Sequence, residues 1–219
     1  MCLIQKYTKK KITMTKGTKL GIELVLLVCI AFLTYLVYSS VKTNIDFERE
    51  KDRKIELVKK KLINARELQF AYEKKHGKYC GSWDKLIKFA KTDSLVFDRK
   101  IGDLEDSAAV ADGSAYVEKV KIPVIDKLIR DGVITEKFNV EKVKYVPESD
   151  SVFSIAASSV IAGGVTLQTF QMGVDFSVLL KGLDLQLIEN ARDSYEKRTN
   201  YPGIRVGSLE QATTEGNWE

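Results

Sequence analysis

The stretch SVFSIAASSVIAGGVTLQTFQMGV, residues Ser151 to Val174, carries no charged side chain. Its reading decides between a chain that crosses a membrane twice and one that crosses once and folds around a sheet. Serines, threonines, glutamines and the Gly163-Gly164 pair dilute its apolar character below that of a membrane helix. Its period is two. Phe153, Ile155, Ala157, Ser159 and Ile161 alternate in one register. After the glycine pair, Met172, Val174, Phe176, Val178 and Leu180 alternate against Gln171, Gly173, Asp175, Ser177 and Leu179. Successive strand side chains point to opposite faces, so this pattern predicts two or three antiparallel strands, with a second membrane span as the competing reading.

The strongest apolar run lies earlier. LGIELVLLVCIAFLTYLVYSSV, Leu20 to Val41, holds one acid, Glu23, and as a helix is long enough to cross roughly 30 Å of hydrocarbon. Lys6, Lys9, Lys10, Lys11, Lys16 and Lys19 precede it without an acid, whereas DFEREKDRK beyond it mixes both signs. That lysine bias predicts a cytoplasmic N-terminus and a main domain across the membrane. A cleaved signal peptide competes with a retained anchor, but no small-x-small site with a helix break follows the core, and Tyr35 and Tyr38 suit an interfacial girdle.

The formal charge of +5 is accounted for by the lysines before the span, so the rest offers no phosphate-tracking stripe and nucleic acid is not an expected partner. About 178 residues follow Val41, enough for one domain. Of the three cysteines, Cys2 is predicted on the cytoplasmic side, Cys29 in the span and Cys80 beyond it. With that topology Cys80 has no intrachain disulfide partner and reads as a small hydrophobe at a turn or an intermolecular thiol.

Beyond the anchor, Ile55, Val58, Leu62, Ala65, Leu68, Gln69 and Tyr72 recur at spacings of three and four, an amphipathic helix ending at Gly77. Neither Pro nor Gly interrupts Asp46 to Asp52, so one helix can run from the span into the domain; a solvated tether is the alternative. Ser82 can cap a short helix, WDKLIKFAK, with Trp83, Leu86, Ile87 and Ala90 on one face. Asp98 to Ala115 reads as a long surface excursion. VKIPV, with Pro123, reads as an edge strand at best.

YEKKHGKYCGSWDKLIKF, from Tyr72, resembles YEKRTNYPGIRVGSLEQA, from Tyr195, once one residue is removed between the tyrosines. Each follows a helix and returns an aromatic, Tyr79 or Tyr201, toward the helix end. Ser82 or Ser208 is then placed to cap a short helix carrying Leu86 or Leu209. Burial of the returning ring against the helix C-terminus is the physical reason for such a unit, and convergent use of a common turn is the other reading. Trp218, next to the last residue, either tucks into the domain or serves as a partner-binding hook.

Catalytic chemistry lacks its parts. His76 is the only histidine, and no CxxC, HExxH, GxSxG or P-loop occurs. Asp103, Glu105, Asp106 and Asp112 are the best-spaced acids for a hard cation, but they lack the EF-hand spacing. No enzyme activity, cofactor or metal is therefore expected.

Lys16, Gly17 and Glu23 resemble the leader junction and early helix glutamate of type IV pilins and type II secretion pseudopilins. Counted from Gly17, Glu23 falls sixth instead of that family's fifth. ARELQFAYEKKHGKY looks like the helix and glycine-tyrosine turn of major pseudopilins. KVKIPV, LLKGLD, YPGIRVGSLE and GNWE extend a resemblance over more of the chain to uncharacterised single-span envelope proteins of Bacteroidetes bacteria. The resemblance implies a bacterial inner-membrane, single-pass protein with a periplasmic domain.

The expected fold is thus α+β: a basic segment over 1–19, an anchor over 20–41 and an external α+β domain over 42–219. Its amphipathic helix packs on a small antiparallel sheet, with helix-hook units near 55–90 and 184–212. The expected function is a non-enzymatic envelope structural or assembly protein of pseudopilin-like kind; a membrane-tethered module that binds or senses an envelope protein or peptide is the alternative. Expected partners are membrane lipid, a second copy or an envelope protein, with Glu23, Tyr79, Tyr201 and Trp218 as the candidate contacts. Glu23 is costly within a bilayer unless paired, neutralised or seated at the cytoplasmic interface.

Overall fold

The computed structural model describes residues 16–103, 105, 111–135 and 138–219. Cys2, Asp106 and the lysines before Lys16 lie outside the described residues. The chain divides into two compact units, Met1–Glu48 and Arg49–Glu219. The architecture is α+β, with an N-terminal apolar helix and, among the described residues, two small antiparallel sheets.

Helix α1 spans Lys16–His76 and so supplies residues to both units. In the first unit its apolar side chains, from Leu20 through Val41, are exposed around the helix. This is the one helix among the described residues long and apolar enough to cross a membrane. Within the same segment the Thr34 hydroxyl donates to the Ile30 carbonyl at 2.8 Å, a bond made inside the helix itself. Asp46 to Asp52 is helical, as the absence of Pro and Gly allows.

In the second unit, the expected stripe of α1 is buried from Ile55 to Gln69, and Tyr72 at its end is half-buried. Val58, Leu62, Leu68 and Gln69 are fully enclosed, and Ile55 and Ala65 nearly so. Gly77, at φ +70°, ends the helix by donating its N–H to the Glu73 carbonyl at 2.7 Å, a left-handed stop that glycine adopts without a Cβ penalty. Helix α2, Trp83–Thr92, buries Trp83, Leu86, Phe89 and Ala90. Ser82 stands at its N-cap, but its side chain makes no capping hydrogen bond; the Ser82 carbonyl accepts from Leu86 N–H instead.

Strand β1, Ser94–Ile101, pairs antiparallel with β2, Tyr116–Pro123. The expected excursion from Asp98 therefore begins as strand, held by cross-strand neighbours such as Arg99 and Glu118. Pro123 closes β2 and precedes α3, Val124–Arg130, where its missing donor is harmless.

The second sheet has the order β3-β4-β5, with β3 Ser154–Ala162, β4 Val165–Asp175 and β5 Gly203–Gly207. Gly163 and Gly164 both have positive φ and form the two-residue hairpin turn whose twist matches paired strands. The charge-free stretch is thus a hairpin, not a second span. The third strand comes from beyond α5, Leu185–Thr199, and not from within the stretch itself.

Two expectations need correction. The alternation through Leu180 does not mark one strand: β4 stops at Asp175, whose carboxylate accepts from Ser177 N–H at 2.7 Å and caps a single helical turn, α4, Phe176–Leu179. Nor is the alternation of β3 a core alternation, because Ile161 is 79% exposed. The core face of this sheet comes from Phe170, Met172 and Val174 of β4 with Ile204 and Val206 of β5, packed against α1 through the Phe70 and Phe170 rings at 6.4 Å.

Candidate functional site

The first tyrosine hook is set by a residue that looks, in sequence, like one member of an apolar stripe. Gln69 is fully buried on α1, and its amide reads both backbone groups of Cys80: Oε1 accepts from Cys80 N–H at 2.8 Å and Nε2 donates to the Cys80 carbonyl at 2.7 Å. This two-point clamp fixes the turn after α1 and places the Tyr79 ring against Phe170 of β4, 4.6 Å between centroids. The adjoining Trp83 Nε1 donates to the Phe153 carbonyl at 2.7 Å. Cys80 itself is buried. Burial, with Glu73 nearby, pushes the Tyr79 phenol above its usual range.

Gln69→Leu keeps the side-chain volume while leaving the buried N–H and C=O of Cys80 without partners. It is expected to destabilise Arg49–Glu219 by about 2–4 kcal/mol, a buried unpaired group costing about 1–3 kcal/mol. Amide exchange at Cys80 should accelerate. Unchanged protection there would show that the clamp does not hold the turn.

The second hook differs in detail. Asn200 ends α5 in the left-handed conformation, φ 58°. Tyr201 then lies over Gly173, where an added Cβ would stand 2.9 Å from the phenol oxygen. Because strand residues alternate in facing, Phe170 and Gly173 are on opposite faces of β4, so Tyr79 and Tyr201 cover opposite faces of one strand. The Tyr79 ring meets the sheet at Phe170 while its phenol stays near Glu73 in the last turn of α1, and the Tyr201 phenol meets the sheet at Gly173. Arg205 stands over the Tyr201 ring at 5.5 Å and donates to Gln171 at 3.0 Å. Burial raises the Tyr201 phenol, opposed by the Ser154 hydroxyl.

The short helix expected after Ser208 does not form. Ser208 Oγ accepts from Glu210 and Gln211 N–H groups in a local turn, and the chain then returns along β5. Gly207 N–H donates to Glu215 at 2.9 Å, Asn217 N–H donates to Arg205 at 3.0 Å, and the Asn217 side chain reaches Arg205 N–H and the Gly203 carbonyl. Trp218 is half-buried directly over Gly216, whose missing side chain leaves room for the indole.

Two further pairs escaped the sequence reading. Arg53 on α1 makes a bidentate pair with Glu148, a non-glycine residue at φ 56°, and so pins the loop before β3. Arg192 on α5 makes a bidentate pair with Asp175 at 2.9 and 3.1 Å. Burial would raise the Asp175 carboxyl, but the Arg192 and Ser177 hydrogen bonds outweigh it and hold the pKa below the ordinary value. Each pair joins residues at least 17 positions apart, which no local spacing reveals.

Glu23 stands exposed on α1 in the first unit. Tyr79, Tyr201 and Trp218 all belong to the second, where the sheet gathers the first two. No cluster of three or more His, Cys, Asp or Glu that could hold a metal occurs among the described residues. Asp103 and Asp112 accept local turn N–H groups from Glu105 and Ser114.

Searches of family models, curated proteins and solved structures find no match to the chain. What the fold and its surfaces define is a class: an α+β protein whose N-terminal helix is long and apolar enough to cross a membrane, consistent with a membrane-associated protein.

Proposed function

We propose that this chain is a non-enzymatic, membrane-anchored envelope structural or assembly protein of pseudopilin-like kind, its N-terminus cytoplasmic and its Arg49–Glu219 unit periplasmic. The observation that supports the reading is the exposed apolar surface of α1 from Leu20 through Val41, whose one charged residue is Glu23. In a bilayer such a surface both anchors and packs against like helices, and a carboxylate there favours a site where it is paired or neutralised.

Photo-crosslinking from position 27 of the full chain in native membranes tests the proposal. A ladder of self-crosslinks is the expected result. One stoichiometric heterologous partner would favour a tethered recognition module, and a strictly monomeric species under gentle extraction would defeat the assembly reading. A label placed after residue 210 should react in cells whose inner membrane is intact; reaction only after that membrane is broken would reverse the topology.

A further inference from the structure

The β3-β4 hairpin outgrows its sheet. β5 pairs only with Gln171–Asp175 of β4, so the part of the hairpin from Ser158 to Gln168 extends as a two-stranded ribbon beyond the third strand. A ribbon of two strands is marginal in water unless another layer or strand joins it. Here Ile161, Val165 and Leu167 are 79, 59 and 38% exposed, and no charge lies anywhere from Ser151 to Val174.

The backbone of this ribbon has a defined polarity. In a two-residue hairpin the pair flanking the turn, Ala162 and Val165, exchanges hydrogen bonds, as do alternate pairs back along the ladder. Ile155, Ala157, Ser159 and Ile161 therefore direct their N–H and C=O groups away from β4. Gly81 covers this edge at Ala157, where an added Cβ would lie 3.3 Å from the nitrogen. No backbone partner is found for Ser159 and Ile161 among the described residues.

The other edges are guarded. The C-terminal segment covers β5 through the Val206–Gly216 bridge and the hydrogen bonds of Gly207 and Arg205. The β1-β2 ribbon carries Asp98, Arg99, Lys100, Glu118, Lys119 and Lys121, charges that resist edge-to-edge pairing. On β4 the open positions beyond β5 are the polar Thr166 and Gln168.

We infer that the outer half of β3 is a docking edge for the same edge of a second copy of this chain, paired antiparallel about a two-fold axis at Val160. In that register Ser159 faces Ile161 of the second copy, and both pairs direct donors and acceptors at each other. Val160 meets its own counterpart on the axis, flanked by Leu167. An uncharged edge offers no ion pair to a charged peptide but is complementary to itself, and a two-fold contact places the same patch on both partners. The inference concerns the second unit alone and does not require self-packing of the anchor.

The test uses the full chain in native membranes with a photo-reactive residue at position 160. Self-crosslinked dimer is expected. Ile161→Lys, which charges the edge, should reduce it by about tenfold or more. Ser159→Pro should do the same, because it removes an outward donor without touching the β3-β4 ladder. Unchanged urea midpoints for both variants would establish that the fold persists. Undiminished dimer in a folded variant, or crosslinks at position 160 solely to another protein, overturns the inference. Crosslinks at position 27 but not 160 would overturn it while leaving the assembly reading intact, and the converse would leave the docking edge intact while removing the anchor as the assembly surface.

Discussion

Replacing Gly207 by alanine is expected to lower the stability of Arg49–Glu219 by about 2–5 kcal/mol, of which about 1–2 reflects the left-handed backbone and the remainder overpacking. Gly207 sits at φ +72°, and an added Cβ would meet the Phe170 carbonyl oxygen at 2.3 Å and its carbon at 3.2 Å. Both are main-chain atoms of β4, so no rotamer change relieves the contact; β5 must move off its neighbour. Gly207 also donates to Glu215, so the same displacement pulls on the C-terminal return. The measurement is amide exchange at Val206 and Asn217 together with a urea midpoint on the full chain in mild detergent. Native protection at both amides with an unshifted midpoint would refute the expectation.

Leu62→Ala is expected to cost about 2–5 kcal/mol, the range for removing an enclosed leucine whose surroundings only partly collapse. Leu62 is fully buried on α1 and belongs to the stripe that includes Val58, Ala65 and Leu68. Its loss leaves the helix intact, since alanine is the better helix former, and acts on packing. Trp83, buried and bonded to Phe153, provides a fluorescence reporter of that core. An unchanged midpoint after the substitution would mean that this face of α1 does not hold the domain together.

Legibility followed the range of the interaction. The apolar N-terminal helix, the stripe of α1, its stop at Gly77 and the helix from Trp83 were all readable, because each rests on spacing or on a residue's own conformational preference within a few positions. So was the hairpin: Gly163 and Gly164 lie between two alternating runs, and positive φ at both is a property of the turn itself. Phe176 to Leu180 misled because apolar residues at Phe176, Leu179 and Leu180 satisfy the helical period as well as the strand period. The Asp175 cap and the hydrogen bond from Phe176 N–H to Pro202 select the helical turn, and the second of these comes from a segment far along the chain.

Gln69 shows the same limit at the candidate site. Its spacing put it on the buried face, but its partner is the backbone of Cys80, which carries no side-chain signature. Glu148 and Asp175 likewise look like ordinary surface acids until folding brings Arg53 and Arg192 beside them.

By itself, then, the sequence determined that one helix has the length and apolar surface for a bilayer, that an amphipathic stripe follows, and that a charge-free hairpin forms, since all three depend on local periodicity and turn chemistry. The tertiary structure alone decided that β5 arrives from beyond α5 to complete the sheet, that Tyr79 and Tyr201 cover opposite faces of β4, and that the outer edge of β3 is left open among the described residues. The reason is that pairing and burial depend on which distant segment fits a given edge in the folded chain, and β5 is five residues long where its neighbour β4 is eleven.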